Sequence, residues 1–228
     1  MSEKCIVSLA TKNSRYVDGL ARLSNSLRDN ADGIDFLGFI HERSVDAPLH
    51  TENPYGFKVY SLVKSMGLGY KQILWLDASV WAVAPVQPIF DIISEQGYFF
   101  EGDGCFLGEW SNDKTLEYFG ISRDAAMSIP MAQGGFMGFN MDNPFGEKLF
   151  YQLNHAYDAG LFKGKWNNVD GSESADIRVK GHRHDQASVS SILHTMGLPF
   201  SPTSEYIQYG GLYDKILNEK IVFKCQGM

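Results

Sequence analysis

The residues best placed to do chemistry stand together at positions 77 to 79. Ile73-Leu74-Trp75-Leu76 is a short apolar run that ends abruptly at Asp77, and Ser79 follows two positions later. A run of this length reads as a buried strand of an α/β sheet. Open sheets bind ligands beyond the carboxyl ends of their strands, which is where Asp77 falls. In an extended chain residues i and i+2 point to the same side, so Asp77 and Ser79 can both offer an oxygen to one hard cation. The chemistry this suggests is metal-assisted handling of an anionic substrate. The competing reading of Asp77 is a strand-end carboxylate that caps a turn.

The surrounding chain supplies elements to hold such a site. Cys5 to Leu9 is a β-like run, and Tyr16, Leu20, Leu23 and Leu27 then share one helical face that ends at Asp32-Gly33. Phe36 to Ile40 is the next strand. Val59, Leu62, Val63 and Met66 form a second helical stripe, closed by Gly67 and Gly69. After Asp77, Pro85 and Pro88 lead into a helix containing Ile89, Phe90, Ile92 and Ile93, and Tyr98 to Phe100 is another strand. The order β-α-β-α-β-α-β predicts an α/β fold, with a mostly parallel central sheet flanked by helices.

The second half is less regular. Residues 101 to 113 read as a glycine- and acid-rich loop, and Gln133 to Asn140 as a glycine-marked strand that approaches something closely. Asn143 and Pro144 open a helix with Phe145, Leu149, Leu153 and Tyr157 inward. A polar stretch, 163 to 184, precedes a last helix defined by Val189, Ile192, Leu193 and Met196, with Asp185 as its N-cap.

Composition narrows the function. At 228 residues and 44% hydrophobic, the chain can bury a sizeable core as one domain. No apolar stretch nears the roughly 18 to 20 residues a bilayer span needs, and the start does not read as a signal peptide. Three cysteines, far apart and without a CxxC pair, argue against a disulfide framework and a zinc knuckle; a reducing, cytoplasmic setting is expected. A net charge of -7 without a basic run argues against a nucleic-acid partner. The P-loop motif and the GxSxG elbow are absent, and the glycines from 102 to 108 do not have dinucleotide-binding spacing.

Taken together, Lys58 to Lys64, Gly69 to Val80 with Asp77-Ala78-Ser79, the Gly-Gly-Phe-Met-Gly-Phe segment and His184-Asp185-Gln186 resemble a GT-A-fold glycosyltransferase of the nucleotide-diphospho-sugar transferase superfamily. The resemblance implies one GT-A-like domain, its nucleotide-binding part roughly residues 1 to 105 and its sugar and acceptor part roughly 106 to 228. It implies transfer of a sugar from a nucleotide-diphosphate donor to a hydroxyl of a glycan or other acceptor. Mn²⁺ or Mg²⁺ would be held at Asp77, Ser79 and His184, with His182 a further possible nitrogen. Ser79 stands where the family's D-x-D motif has its second acid. Ala10, Thr11, Arg15, Lys58, Asp77, Ala78 and Ser79 would meet the nucleotide sugar, and Gly134, Gly135 and Phe136 the sugar or acceptor. Asp185 and Gln186 would act at the transferred sugar. Inversion would require a carboxylate base, and Asp103 joins Asp185 as a candidate. Two other expectations stand beside this one: a non-catalytic nucleotide-sugar or carbohydrate-binding module, and a sugar nucleotidyltransferase. The latter normally has a glycine-rich basic loop after its first strand, and Ala10 to Arg15 contains no glycine.

Overall fold

The computed structural model describes residues 2–211 and 214–226. In chain order they form β1 (Lys4–Ala10), α1 (Ser14–Asn30), β2 (Asp35–Ile40), α2 (Gly56–Gly67), β3 (Gln72–Leu76), β4 (Val80–Ala82), α3 (Gln87–Gln96) and β5 (Tyr98–Phe99). There follow β6 (Gly102–Phe106), α4 (Leu107–Trp110), α5 (Asp113–Tyr118), α6 (Arg123–Ala126), β7 (Pro130–Ala132), β8 (Phe136–Asn140), α7 (Pro144–Asp158), α8 (His184–Thr195), β9 (Ile207–Tyr209) and β10 (Phe223–Cys225).

The main sheet has five strands in the order β2-β1-β3-β8-β5. β1 runs parallel to β2 and β3, whereas β8 is antiparallel to both β3 and β5. The sheet is therefore mixed, not mostly parallel. A strand buried on both faces has the same apolar run whichever way it points, so direction is not written into residues 136 to 140.

Alternation along the strands separates two cores. Cys5, Val7, Ile73 and Trp75 face α2, α7 and α8, while Ile6, Leu74 and Leu76 face α1, α3 and the carboxyl-terminal strands. Helix starts follow local chemistry: the Asn13 and Asn143 side chains accept from Arg15 N–H and Phe145 N–H, and Pro144 follows Asn143 at the first helical position.

Several local expectations are corrected. The 101 to 113 segment holds β6 and α4 rather than a plain loop, and β6 pairs antiparallel with β7. Residues 207–209 and 223–225 join β4 in a second sheet, ordered β4-β10-β9. Phe145, expected inward, is exposed: it lies in the first turn of α7, where Gly146 rather than Phe145 carries the buried face. Asp185 does not cap α8. Arg183 is its N-cap position, no side chain caps the end, and Asp185 lies buried in the first turn. No helix among the described residues is long and apolar enough to cross a membrane.

Candidate functional site

One edge of the main sheet opens into a cavity of about 500 Å³. The carboxyl ends of β1 and β3 lead into it through Thr11 and Asp77. Because β8 is antiparallel to them, its opening end, Gly134-Gly135, arrives at the same edge. The register continues past the strands: Leu76 pairs with Phe136, and Asp77 N–H donates to the Gly135 carbonyl at 2.9 Å. The first turn of α8 brings Asp185 and Gln186, α2 brings Lys58, and β6 brings Asp103.

Lys58 holds these pieces together. Its side chain is 2% exposed, and its ammonium donates to the Gly134 carbonyl at 2.7 Å and to Asp185 Oδ2 at 2.8 Å, with Asp77 Oδ1 at 3.1 Å. Burial alone would push this ammonium down. The two carboxylates outweigh that effect and hold it above the ordinary lysine value, so it stays charged. Burial pushes the Asp185 carboxyl up, and Lys58 opposes the shift. Two glycines make the approach feasible. A Cβ on Gly134 would lie 2.9 Å from Asp185 Oδ2, and one on Gly135 would lie 3.2 Å from Asp77 Oδ2.

Asp103 is tied into the wall differently. Its Oδ1 accepts Cys105 N–H at 2.7 Å, and its Oδ2 accepts the Gln186 amide. Asp77 Oδ1 also accepts Trp75 Nε1–H at 2.8 Å, leaving Oδ2 without a described donor. Opposite, Tyr55 and His184 both have left-handed backbone, φ 58° and 45°, and their rings lie 5.2 Å apart. Such geometry in bulky residues is strained and persists where packing over-determines it.

Of the residues expected to serve the site, Thr11, Lys58, Asp77, Ala78, Ser79, Asp103, Gly134, Gly135, Asp185 and Gln186 line the cavity together. Four do not. Ala10 is buried within β1, Arg15 is exposed at the start of α1, and Phe136 packs in the core against Phe223. The fourth, His184, turns its Nδ1 to the Phe162 carbonyl at 2.8 Å. His182 is also occupied. Asn112 N–H donates to its Nδ1 at 3.3 Å, its Nε2 meets the Leu161 carbonyl at 2.8 Å, and burial lowers its pKa to about 4, so it is neutral.

These placements decide how a metal ion would fit. Asp77 Oδ2 and Asp185 Oδ1 are carboxylate oxygens without a described donor, while the Ser79 hydroxyl contacts Cys225 Sγ at 3.3 Å. No group of three His, Cys, Asp or Glu residues converges among the described residues. The arrangement fits a cation held by Asp77 and by the oxygens of a bound ligand, and does not form a closed protein cage.

The cavity also contains residues that the sequence does not assign to a site: Tyr16, which patterning places on the α1 stripe, and Tyr55, Trp166, Arg183, Tyr209 and Cys225. Trp166 is the lone large aromatic of the polar stretch 163 to 184, and that isolation is the one signal it gave. No protein-family model matches the chain, and no curated protein matches it. The fold and site define an α/β protein with a mixed sheet and, at its strand ends, an aromatic-walled cavity that holds Lys58, Asp77, Asp103 and Asp185.

Proposed function

We propose that this protein is a glycosyltransferase that moves a sugar from a nucleotide-diphosphate donor to a hydroxyl of a glycan or other acceptor. The observation that carries this reading is the convergence of Thr11, Lys58, Asp77, Gly134, Asp103, Asp185 and Gln186 on one cavity from both halves of the chain. A GT-A-like arrangement accounts for that convergence, with the nucleotide beside Thr11 and Asp77 and the sugar between Gly134-Gly135 and Asp185-Gln186.

In this reading Lys58 fixes Asp77 and Asp185 against the backbone and cancels one of their two charges. A bound Mn²⁺ or Mg²⁺, held by Asp77 and the donor's phosphates, would stabilise the negative charge that develops on the leaving nucleotide diphosphate. Gln186 positions Asp103 by donating to it. With inversion, Asp103 or Asp185 takes the acceptor hydroxyl's proton; both oxygens of Asp103 already accept bonds, whereas Asp185 meets Lys58 through Oδ2 alone. Retention needs no such base. The alternative of a non-catalytic binding module draws support from Ser79, whose hydroxyl is engaged with Cys225.

Calorimetric titration with a panel of nucleotide-diphosphate sugars, with and without Mn²⁺, tests the reading alongside an assay of donor turnover. One donor should bind, bind more tightly with Mn²⁺, and lose affinity in Asp77→Asn. Binding without turnover would select the binding module. If no donor bound the wild type under either condition, the glycosyltransferase reading would fall.

A further inference from the structure

The two cations of the cavity differ in what they have left to offer. All three donors of Lys58 are taken by Gly134, Asp185 and Asp77. Arg183 is the opposite case. Its guanidinium carbon lies 4.3 Å from the ring centroid of Trp110 and 5.1 Å from that of Trp166, so two aromatic rings restrain it. The residue lines the cavity, yet no described residue forms a salt bridge with it or accepts from its guanidinium, and its Nε is buried without a partner.

Two acids of this region are committed elsewhere. Glu109 pairs with Lys180 at 2.7 Å, and both oxygens of Asp103 are occupied by Cys105 N–H and Gln186. Arginine does not shed its proton, and its planar fork matches the oxygens of a phosphate or carboxylate. A restrained, partly buried guanidinium with open donors on a cavity wall is arranged to receive an anion.

We propose that Arg183 binds an anionic oxygen group of the ligand, a phosphate or a carboxylate, while Trp110 and Trp166 hold the guanidinium in place. The proposal deepens the glycosyltransferase reading by naming a charged group of its substrate, and rests on it only in taking this cavity as the ligand site.

The test titrates the full chain with inorganic pyrophosphate, uridine diphosphate, guanosine diphosphate and glucuronate, in the wild type, Arg183→Met and Arg183→Lys. At least one probe should bind the wild type and weaken by about tenfold or more in Arg183→Met, the range expected for losing charge-assisted hydrogen bonds. Arg183→Lys should fall between, since lysine keeps the charge without the fork. Loss confined to pyrophosphate and the nucleotides identifies a phosphate, and loss confined to glucuronate a carboxylate. Thermal unfolding of each variant reports whether it folds. Should Arg183→Met fail to fold, Arg183→Gln, which keeps a planar group between the tryptophans, takes its place. Equal affinity in the neutral variant, or no probe binding the wild type, overturns the proposal. The two readings separate cleanly. Arg183-dependent anion binding without any nucleotide-sugar binding would keep Arg183 and sink the glycosyltransferase; unchanged donor binding and turnover in Arg183→Met would do the reverse.

Discussion

At the scale of single residues, Lys58 sets the geometry of the site. It joins a backbone carbonyl that precedes β8, a carboxylate at the end of β3 and another in the first turn of α8, so three separate elements meet at one ammonium. Taking such charges out of water is expensive, and the arrangement holds because each ammonium proton has an oxygen to meet. Removing one partner should therefore cost far more than removing the pair. Lys58→Met is expected to destabilise the fold by about 3–5 kcal/mol, the range for stranding a buried charge. Asp185→Asn should cost less, and the double variant less than the sum of the two. Urea unfolding of all four proteins checks this through the double-mutant cycle, and strict additivity would mean that the pair does not act as a unit. The pH dependence has a definite sign. A lysine held above its ordinary value of 10.5 contributes stability that is present below that pH and lost as pH rises through its folded value, so the Lys58 contribution is intact at neutral pH.

Among the elements, the carboxyl-terminal segment is fastened to the main fold at a titratable group. Glu101, fully buried after β5, accepts Ser204 N–H at 2.9 Å and Tyr206 N–H at 2.8 Å, one on each oxygen. Burial raises its pKa from 4.5 to about 7 against the pull of those bonds. The folded state thus binds this proton more tightly than the unfolded chain. The Glu101 contribution to stability is fully present below about pH 4.5 and is lost as pH climbs through 7, by up to about 3 kcal/mol. Neutral His182, lowered to about 4, works in the opposite direction over an overlapping window, so the wild-type profile alone does not isolate either group. Measured as the difference in unfolding free energy between wild type and Glu101→Gln, the Glu101 effect should decline from pH 4.5 to 7; a flat difference would rule it out. The elements also show what sequence patterning can reach. β1, α1, α2, β3 and α3 were legible because each has an apolar run or a clear stripe, and Asp77 because its run stops at an acid. β9 and β10 were not, since a three-residue strand has no period to read. Arg183 was missed for another reason: its setting depends on Trp110, far away in sequence, and on Trp166 within an irregular loop.

For the molecule as a whole, the two ends of the chain share one core. The cluster that holds Ile6 and Leu23 near the start also holds Ile207, Val222, Phe223 and Cys225 near the end, with Phe136 between them. Strand β10 therefore has two duties: Phe223 fills the core at a centroid distance of 6.1 Å from Phe136, and two residues on Cys225 lines the cavity beside Ser79. Site and stability are coupled through this strand, and the chain is expected to unfold in a single cooperative transition. Truncating a fully buried phenylalanine costs about 3–5 kcal/mol through lost transfer energy and the cavity left behind. Spread over a chain of this size, that corresponds to a fall of roughly 6–20 °C in the unfolding midpoint. Phe223→Ala should accordingly lower the midpoint of the whole calorimetric transition by that amount without splitting it. A split transition, with the larger part melting at the wild-type temperature, would show instead that the carboxyl-terminal strands dock on an independently stable body. In that case β10 would be a separable wall of the cavity, and ligand binding could be lost while the rest of the fold remained intact.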